Sequence, residues 1–299
     1  MEKTRFSYVQ IGAKDPAALA DFYVKAIGFT PCEDKGWLCG KEGICLAAPG
    51  FEAGCGPVFG FVHADQGDAA CINDAGFAHT CYETKDVKAA VKQLLKCGGS
   101  IHSTMKNPEN HPCVYCKDPE GNVVEFHIPF PAEKSLGAYA KTAGSLLGLM
   151  PEKKLRRDDA TGAIKFIHVN IICPNWEVFC GFYRDVFGCV NFGKLKDHQG
   201  NYKEQVIGVP GVHVVGHHIL LPGFAKDYPT LEIFTYSVPG RSFPCDEKAM
   251  GINCIGFACE DTEAVAEALT AAGGTVNETG ADYILAGDPQ NGRILLRRN

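Results

Sequence analysis

FSYVQIGAKDPAALADFYVKAIGF (6–29) and FIHVNIICPNWEVFCGFYRDVFGC (166–189) are two copies of one pattern in a chain of 299 residues. They align at a constant offset of 160 (166 − 6), with identical pairs at Phe6/Phe166, Val9/Val169, Ile11/Ile171, Phe22/Phe182, Tyr23/Tyr183 and Gly28/Gly188. Each copy opens on alternating apolar and polar residues, the period of a half-buried strand. Each then runs into a helical stretch, Pro16 to Ile27 in the first copy, closed by a glycine where helices favour one.

Outward from these stretches the repetition continues. Gly76–Gly99 matches Gly251–Gly274 at an offset of 175 (251 − 76), sharing Asp86/Asp261, Ala89/Ala264, Leu94/Leu269 and both Gly-Gly pairs. The turn Asp118-Pro119 recurs as Asp288-Pro289 at the shorter offset of 170 (288 − 118), so the later copy lacks about five residues of loop. Between these landmarks the pattern predicts a strand at 77–83, a helix at 86–97, an extended run at 113–117, a turn at 118–122 and a strand at 123–128. The chain therefore divides into a first domain, 1–130, with modules 1–75 and 76–130. A linker, 131–162, contains a helical stretch at about 134–149 and the charge run Lys153–Asp159. A second domain, 163–299, has modules 163–248 and 249–299.

Composition narrows the function classes. Hydrophobic residues at 45% and charged residues at 21% are ordinary globular values, which excludes a disordered or collagen-like chain. The net charge of −6 excludes a globally basic surface for nucleic acid or anionic lipid. Fifteen cysteines form an odd set in a chain too long to be a disulfide-stapled mini-domain. The N-terminal residues lack the apolar core of a signal peptide, and no apolar run approaches the ~18 residues of a membrane span. The expectation is a cytoplasmic protein, monomer or homodimer, that handles a small molecule and neither nucleic acid nor membrane.

The paired Phe22-Tyr23…Gly28 and Phe182-Tyr183…Gly188 helix ends, the segment GFAHTCYETKD (76–86) and the turn Asp118-Pro-Glu-Gly-Asn-Val-Val-Glu125 together resemble the vicinal oxygen chelate superfamily. That superfamily includes glyoxalase I, methylmalonyl-CoA epimerase, extradiol dioxygenases and bleomycin-resistance proteins. The resemblance implies an α+β fold of tandem paired βαβββ modules, four modules forming two cupped, barrel-like sheets. It also implies metal ligands on the first and last strands of paired modules. Carried over residue by residue, the second module offers His79 and Glu125, and the third offers His168 and Glu232. The first module offers only Tyr8, with no carboxylate on its last strand (about 57–63). The fourth offers Cys254 and Leu296. One complete set arises if module two pairs with three, within one chain or across a swapped dimer; the other cup is then vestigial.

Two imidazoles and two carboxylates suit one divalent ion of Zn, Ni, Co, Mn or Fe. Four protein ligands on an octahedral ion leave two positions for vicinal substrate oxygens. The resemblance then implies a metal-dependent isomerase, epimerase or lyase of the glyoxalase I type, which moves a proton alpha to a carbonyl through a metal-stabilised enolate or enediolate. Glu125 or Glu232 serves as the base. An extradiol ring-cleaving dioxygenase, which needs two His and one carboxylate, and a non-catalytic antibiotic-sequestering protein are the alternatives. Around this set, Cys113-x-x-Cys116 has metal or redox spacing but no second pair. Of His217-His218 one faces the cup, His111 can reach over its mouth, and His127 shares the face of Glu125. Phe234, Tyr236, Phe126 and Tyr115 are aromatic candidates for the cup wall.

Overall fold

Four local signals start the helices in the same way. Asp15, Asp86, Asn175 and Asp261 each stand at an N-cap and accept hydrogen bonds from backbone N–H groups of the first turn, which otherwise lack partners. Before each cap runs a buried strand, and after each helix a glycine turns the chain back. Gly28 and Gly188 do so at φ +94° and +73°, a conformation that penalises any residue with a Cβ. The computed structural model describes residues 4–129, 164–224, 229–242 and 246–299. The helical stretch expected at 134–149 and the charge run Lys153–Asp159 lie outside the described residues.

The first module comprises β1 (Thr4–Ala13), α1 (Pro16–Phe22), β2 (Thr30–Pro31), β3 (Gly43–Ala47) and β4 (Val58–His63). The second comprises β5 (Gly76–Glu83), α2 (Val87–Lys96), β6 (Ser100–Ile101), β7 (Cys113–Lys117) and β8 (Val123–His127). The third contains β9 (Lys165–Ile172), α3 (Trp176–Phe187), β10 (Val190–His198), α4 (Asn201–Ile207), β11 (Val214–Leu220) and β12 (Thr230–Tyr236). The fourth contains β13 (Gly251–Cys259), α5 (Thr262–Ala271), β14 (Thr275–Thr279), β15 (Tyr283–Gly287) and β16 (Arg293–Arg298). Two local differences from the sequence pattern stand out. The helix expected to run from Pro16 to Ile27 is α-helical only to Phe22 and finishes as a π-helical turn over Tyr23–Ile27. Helix α4 has no counterpart in the repeat and carries no side-chain cap at Gly200.

The modules pair inside out. One eight-stranded sheet runs β14-β15-β16-β13-β1-β4-β3-β2, joining the fourth module to the first, and the other runs β10-β11-β12-β9-β5-β8-β7-β6, joining the third to the second. The fold is α+β. At the seams, β1 lies antiparallel to β13 and β5 antiparallel to β9. A shared apolar core joins the sheets, as where Phe59 on β4 meets the ring of Phe166 on β9 at 5.2 Å.

Two matched polar links also tie one module pair to the other. The Tyr23 hydroxyl donates to Asp118 Oδ2 at 3.2 Å and the Tyr183 hydroxyl to Asp288 Oδ2 at 3.1 Å. The second oxygen of each aspartate accepts backbone N–H groups of its own turn, from Glu120 and Asn122 in one case and Gln290 and Gly292 in the other. Each link crosses between module pairs, because Tyr23 and Asp288 belong to the first and fourth modules and Asp118 and Tyr183 to the second and third. The two motifs that repeat most visibly in the sequence are thus the ends of these links.

Candidate metal centre

Strand alternation decides what the second sheet presents to its cup. On its four central strands, β12-β9-β5-β8, every second residue faces the helices and core, and the residues between them face inward. The inward positions bring His79 from β5, Glu125 from β8, His168 from β9 and Glu232 from β12 together. One ligand atom from each lies within 4.8 Å of all the others, and all four side chains are buried. His79 Nε2 lies 3.2 Å from Glu125 Oε2 and 3.5 Å from Glu232 Oε2, and His168 Nε2 lies 3.3 and 3.4 Å from the same two oxygens. The two Nε2 atoms are 3.4 Å apart.

The outer oxygens are held differently. The Cys113 thiol on β7 donates to Glu125 Oε1 at 3.0 Å. His218 Nε2 on β11 lies 3.3 Å from Glu232 Oε1, and the Asn170 side-chain amide donates to Glu232 Oε2 at 3.0 Å. Burial pushes both carboxyls up, but the hydrogen bonds and charge of the two imidazoles outweigh it and hold Glu125 and Glu232 well below the usual carboxylate range. Burial likewise opposes a charge on His168, yet the two carboxylates lift that ring to about 9. His218 is lowered by burial, with Glu232 opposing the shift.

This donor set fits a divalent cation. Each Nε2 has three polar neighbours at 3.2–3.5 Å and at most one hydrogen to offer them, so hydrogen bonding within the cluster leaves most of these close approaches unserved. Metal–ligand bonds of about 2.0–2.2 Å set ligand-to-ligand edges of about 3.0–3.5 Å, the spacing found here. Two carboxylates also balance a double positive charge, which removes the cost of burying them as unpaired anions.

The other sequence candidates separate clearly. His218 faces the cup, whereas His217 turns outward to the ring of Trp176 on α3 at 6.4 Å, as alternation requires. Cys113 and Cys116 are three residues apart on one strand and so face opposite ways; Cys116 sits in the core, its thiol pushed by burial to about 12. They form no shared site. His111 lies beside Tyr202 of α4, ring centroids 5.8 Å apart. His127 is buried on the face of Glu125 and is lowered by burial. Tyr115 packs edge-on to His79 at 5.2 Å and Phe234 edge-on to His218 at 6.0 Å. Phe126 does not line the cup. It alternates away from Glu125 into the core, where Tyr82 is its neighbour at 6.1 Å. Asn170 and His198 were not singled out from the sequence. Asn170 shows itself only through strand register, two residues past His168.

The first sheet has the same register with other side chains. β9 pairs His168 with Thr230, as β1 pairs Tyr8 with Val58, so the position of Glu232 falls on Gly60. Cys254 occupies the position of His79. Leu295, opposite Gly256, stands where Cys81 and Glu125 pair in the other sheet. Leu296, expected from the sequence at that place, faces the core; the one-residue difference reverses the face. Tyr8, Cys254 and Leu295 instead form an apolar cluster with Trp37, Leu38 and Cys45. Tyr8 stacks on Trp37 at 5.4 Å and 13°. A Cβ at Gly60 would come within 2.1 Å of the Tyr8 hydroxyl oxygen, so the tyrosine ring takes the space a carboxylate side chain would need. Among the described residues this cup holds no second cluster of metal-type ligands, and no described helix is long and apolar enough to cross a membrane.

Similarity to known proteins follows the fold. Glyoxalase I from Zea mays superposes with a TM-score of 0.62 at 14% identity, covering 99% of this chain and 92% of that one. A putative dioxygenase from Bacillus subtilis gives 0.57 at 16% identity, covering 99% and 85%. No curated protein sequence matches the chain. Residues 5–126 match the model of the Glyoxalase/Bleomycin resistance protein/Dioxygenase superfamily, and the later modules repeat the same strand and helix order.

Proposed function

We propose that the protein is a metal-dependent isomerase or lyase that moves a proton alpha to a substrate carbonyl. The observation that carries this reading is the convergence of His79, Glu125, His168 and Glu232 on one point in a buried cup. These four residues hold one divalent ion, of the Zn, Ni, Co, Mn or Fe class. When bound, the ion supplies Lewis-acid polarisation of the substrate carbonyl.

The chain's own residues do the rest. Glu125 and Glu232 are the two groups placed to take a proton from the α-carbon and return it to the neighbouring carbon. Asn170 fixes Glu232 Oε2, while His218 and Cys113 orient the outer oxygens of Glu232 and Glu125. Tyr115 shields the His79 ring from water, and Phe234 shields the ring of His218. The presence of both carboxylates favours this chemistry over extradiol cleavage, which uses one carboxylate and two histidines and keeps more positions open.

Elemental analysis of protein purified without chelator, followed by proton NMR of α-hydroxyketones and of hemithioacetals of 2-oxoaldehydes in deuterium oxide, tests the reading. The expected result is about one metal per chain and a loss of the α-proton signal that stops on chelation and returns with metal. Oxygen uptake with catechols in place of proton exchange overturns it in favour of the oxygenase; a metal content near zero overturns it in favour of a binding protein.

A further inference from the structure

The cup does not end at Glu232. Directly opposed residues of an antiparallel ladder share a face, so the pairings of β10, β11 and β12 lay out three successive rows on the cup wall. Glu232, His218 and Phe192 form the first row, Phe234, Gly216 and Lys196 the second, and Tyr236, Val214 and His198 the third. The middle row is low. A Cβ at Gly216 would lie 2.3 Å from a Phe234 ring carbon, so the ring takes the space that a side chain at 216 would need.

At the third row and on the helix that follows it, two side-chain nitrogen groups stand without a hydrogen-bond or ion-pair partner among the described residues. His198 is half-buried and makes no hydrogen bond among the described residues, and Lys203, half-buried on α4, has no ion-pair partner there. Their environments are linked. Burial pushes His198 down to about 4, and the Lys203 ammonium adds to that shift; Lys203 also pulls down the burial-raised Cys113 thiol at the metal end of the cup. Helix α4 is fixed in this place, because Ser103 Oγ donates to Val206 O at 2.6 Å and Thr104 N to Gln205 O at 2.8 Å. Lys196 on the middle row adds positive charge to this side, in a chain whose net charge is −6.

We propose that Lys203 and His198 bind a carboxylate at the far end of the substrate, an inference that rests on the chelating role assigned above to the four-ligand cup. The charges match. A divalent ion with two glutamates is neutral, so nothing at the metal end compensates a further anion, whereas one ammonium and one neutral imidazole N–H suit a single negative charge. The spacing sets the substrate's length. The third row lies four residues along β12 from Glu232, roughly 14 Å of backbone at ~3.4 Å per residue. A carboxylate held there stands several bonds away from the chelated oxygens. The substrate is an extended acid and not a two- or three-carbon fragment.

The test uses cobalt(II)-loaded protein, whose visible absorption reports chelation, and three hydroxamic acids of equal chain length ending in methyl, carboxylate or phosphonate. The carboxylate-ended compound is expected to bind about tenfold more tightly than the methyl-ended one. Lys203→Gln should erase that preference and Lys203→Arg keep it, with cobalt content and the affinity of the methyl-ended compound unchanged in both. Equal affinity of the methyl- and carboxylate-ended compounds, or a preference that survives Lys203→Gln, overturns the inference and leaves the chelating cup intact. A larger gain from phosphonate overturns it in favour of a phosphorylated substrate. If no hydroxamate alters the cobalt spectrum, the chelating cup itself fails and the inference falls with it.

Discussion

The two cups share a backbone and differ in what they spend it on. In the cup of the second and third modules, four equivalent positions carry His79, Glu125, His168 and Glu232. In the cup of the first and fourth they carry Cys254, Leu295, Tyr8 and Gly60. The first arrangement buries two carboxylates and two imidazoles that are costly until a cation balances them. The second fills the same place with a stacked Tyr8–Trp37 pair and apolar neighbours that include Leu38, Cys45, Cys254 and Leu295, which adds stability and removes any ligand set. Register places a site, and side-chain identity alone decides whether chemistry or packing occupies it.

The sharpest way to break the contrast is to remove ligands. His79→Ala and His168→Ala should each lower metal affinity by more than about 100-fold, since changes to mere supporting groups already cost about 10–100-fold. Metal per chain after dialysis measures this, and retention of a full equivalent by either variant would dissolve the single shared site. In the filled cup the same operation should act on stability only. Tyr8→Ala should cost about 3–5 kcal/mol through the cavity it leaves, read as a lower urea midpoint, while the metal count stays unchanged. Loss of metal in Tyr8→Ala would show that the cups are not independent.

A smaller effect distinguishes the links that both sheets share. Burial raises Asp118 and Asp288 to about 6, above the ~3.9 of an unfolded aspartate. The folded protein therefore holds these protons more tightly, and each group contributes stability that is complete below about pH 4 and is lost as pH rises through about 6. Asp118→Asn and Asp288→Asn should each remove a pH-dependent component on the order of 1–3 kcal/mol between those limits. Urea unfolding at pH 4.5 and 7.5 would reveal it. A parent and variants with the same pH dependence would show that the links carry no such strain. The smallest expected change is Cys254→Ala, within about 1 kcal/mol and without effect on metal content, because Cys254 acts as a small buried hydrophobe.

Much of this was legible in the residues. The constant offset between 6–29 and 166–189 showed the duplication, and the His-plus-Glu pairs at 79/125 and 168/232 marked which two modules could complete a site. Strand register was harder to read. Leu296 stands in for Leu295 because sequence alone gives no partner strand from which to count, whereas Phe126, next to Glu125, is turned away from the cup by alternation alone. Helix α4 escaped notice because it begins at Gly200 with no capping side chain and is held instead by hydrogen bonds from residues 103 and 104, a hundred positions away in sequence. The proposed carboxylate-binding end of the cup depends on that helix, so the residue pattern of the strands alone does not show it. Tyr23 and Tyr183 were read as family marks, and their partners, Asp118 and Asp288, reveal them as ties between module pairs.

The nested pairing of modules also sets an order of assembly. The four-ligand cup has all its strands by Tyr236, the end of β12, before β13 begins at Gly251. As the chain emerges from the ribosome, the inner pair of modules has all its strands while β1 still waits for its neighbour, with Thr4 finally opposite Cys259. Throughout that interval β1 presents an open row of backbone donors and acceptors along a largely buried strand, the kind of edge that recruits other chains. The burden of avoiding misassembly in this protein therefore falls on its first module, and its four-ligand cup is the part made safe earliest.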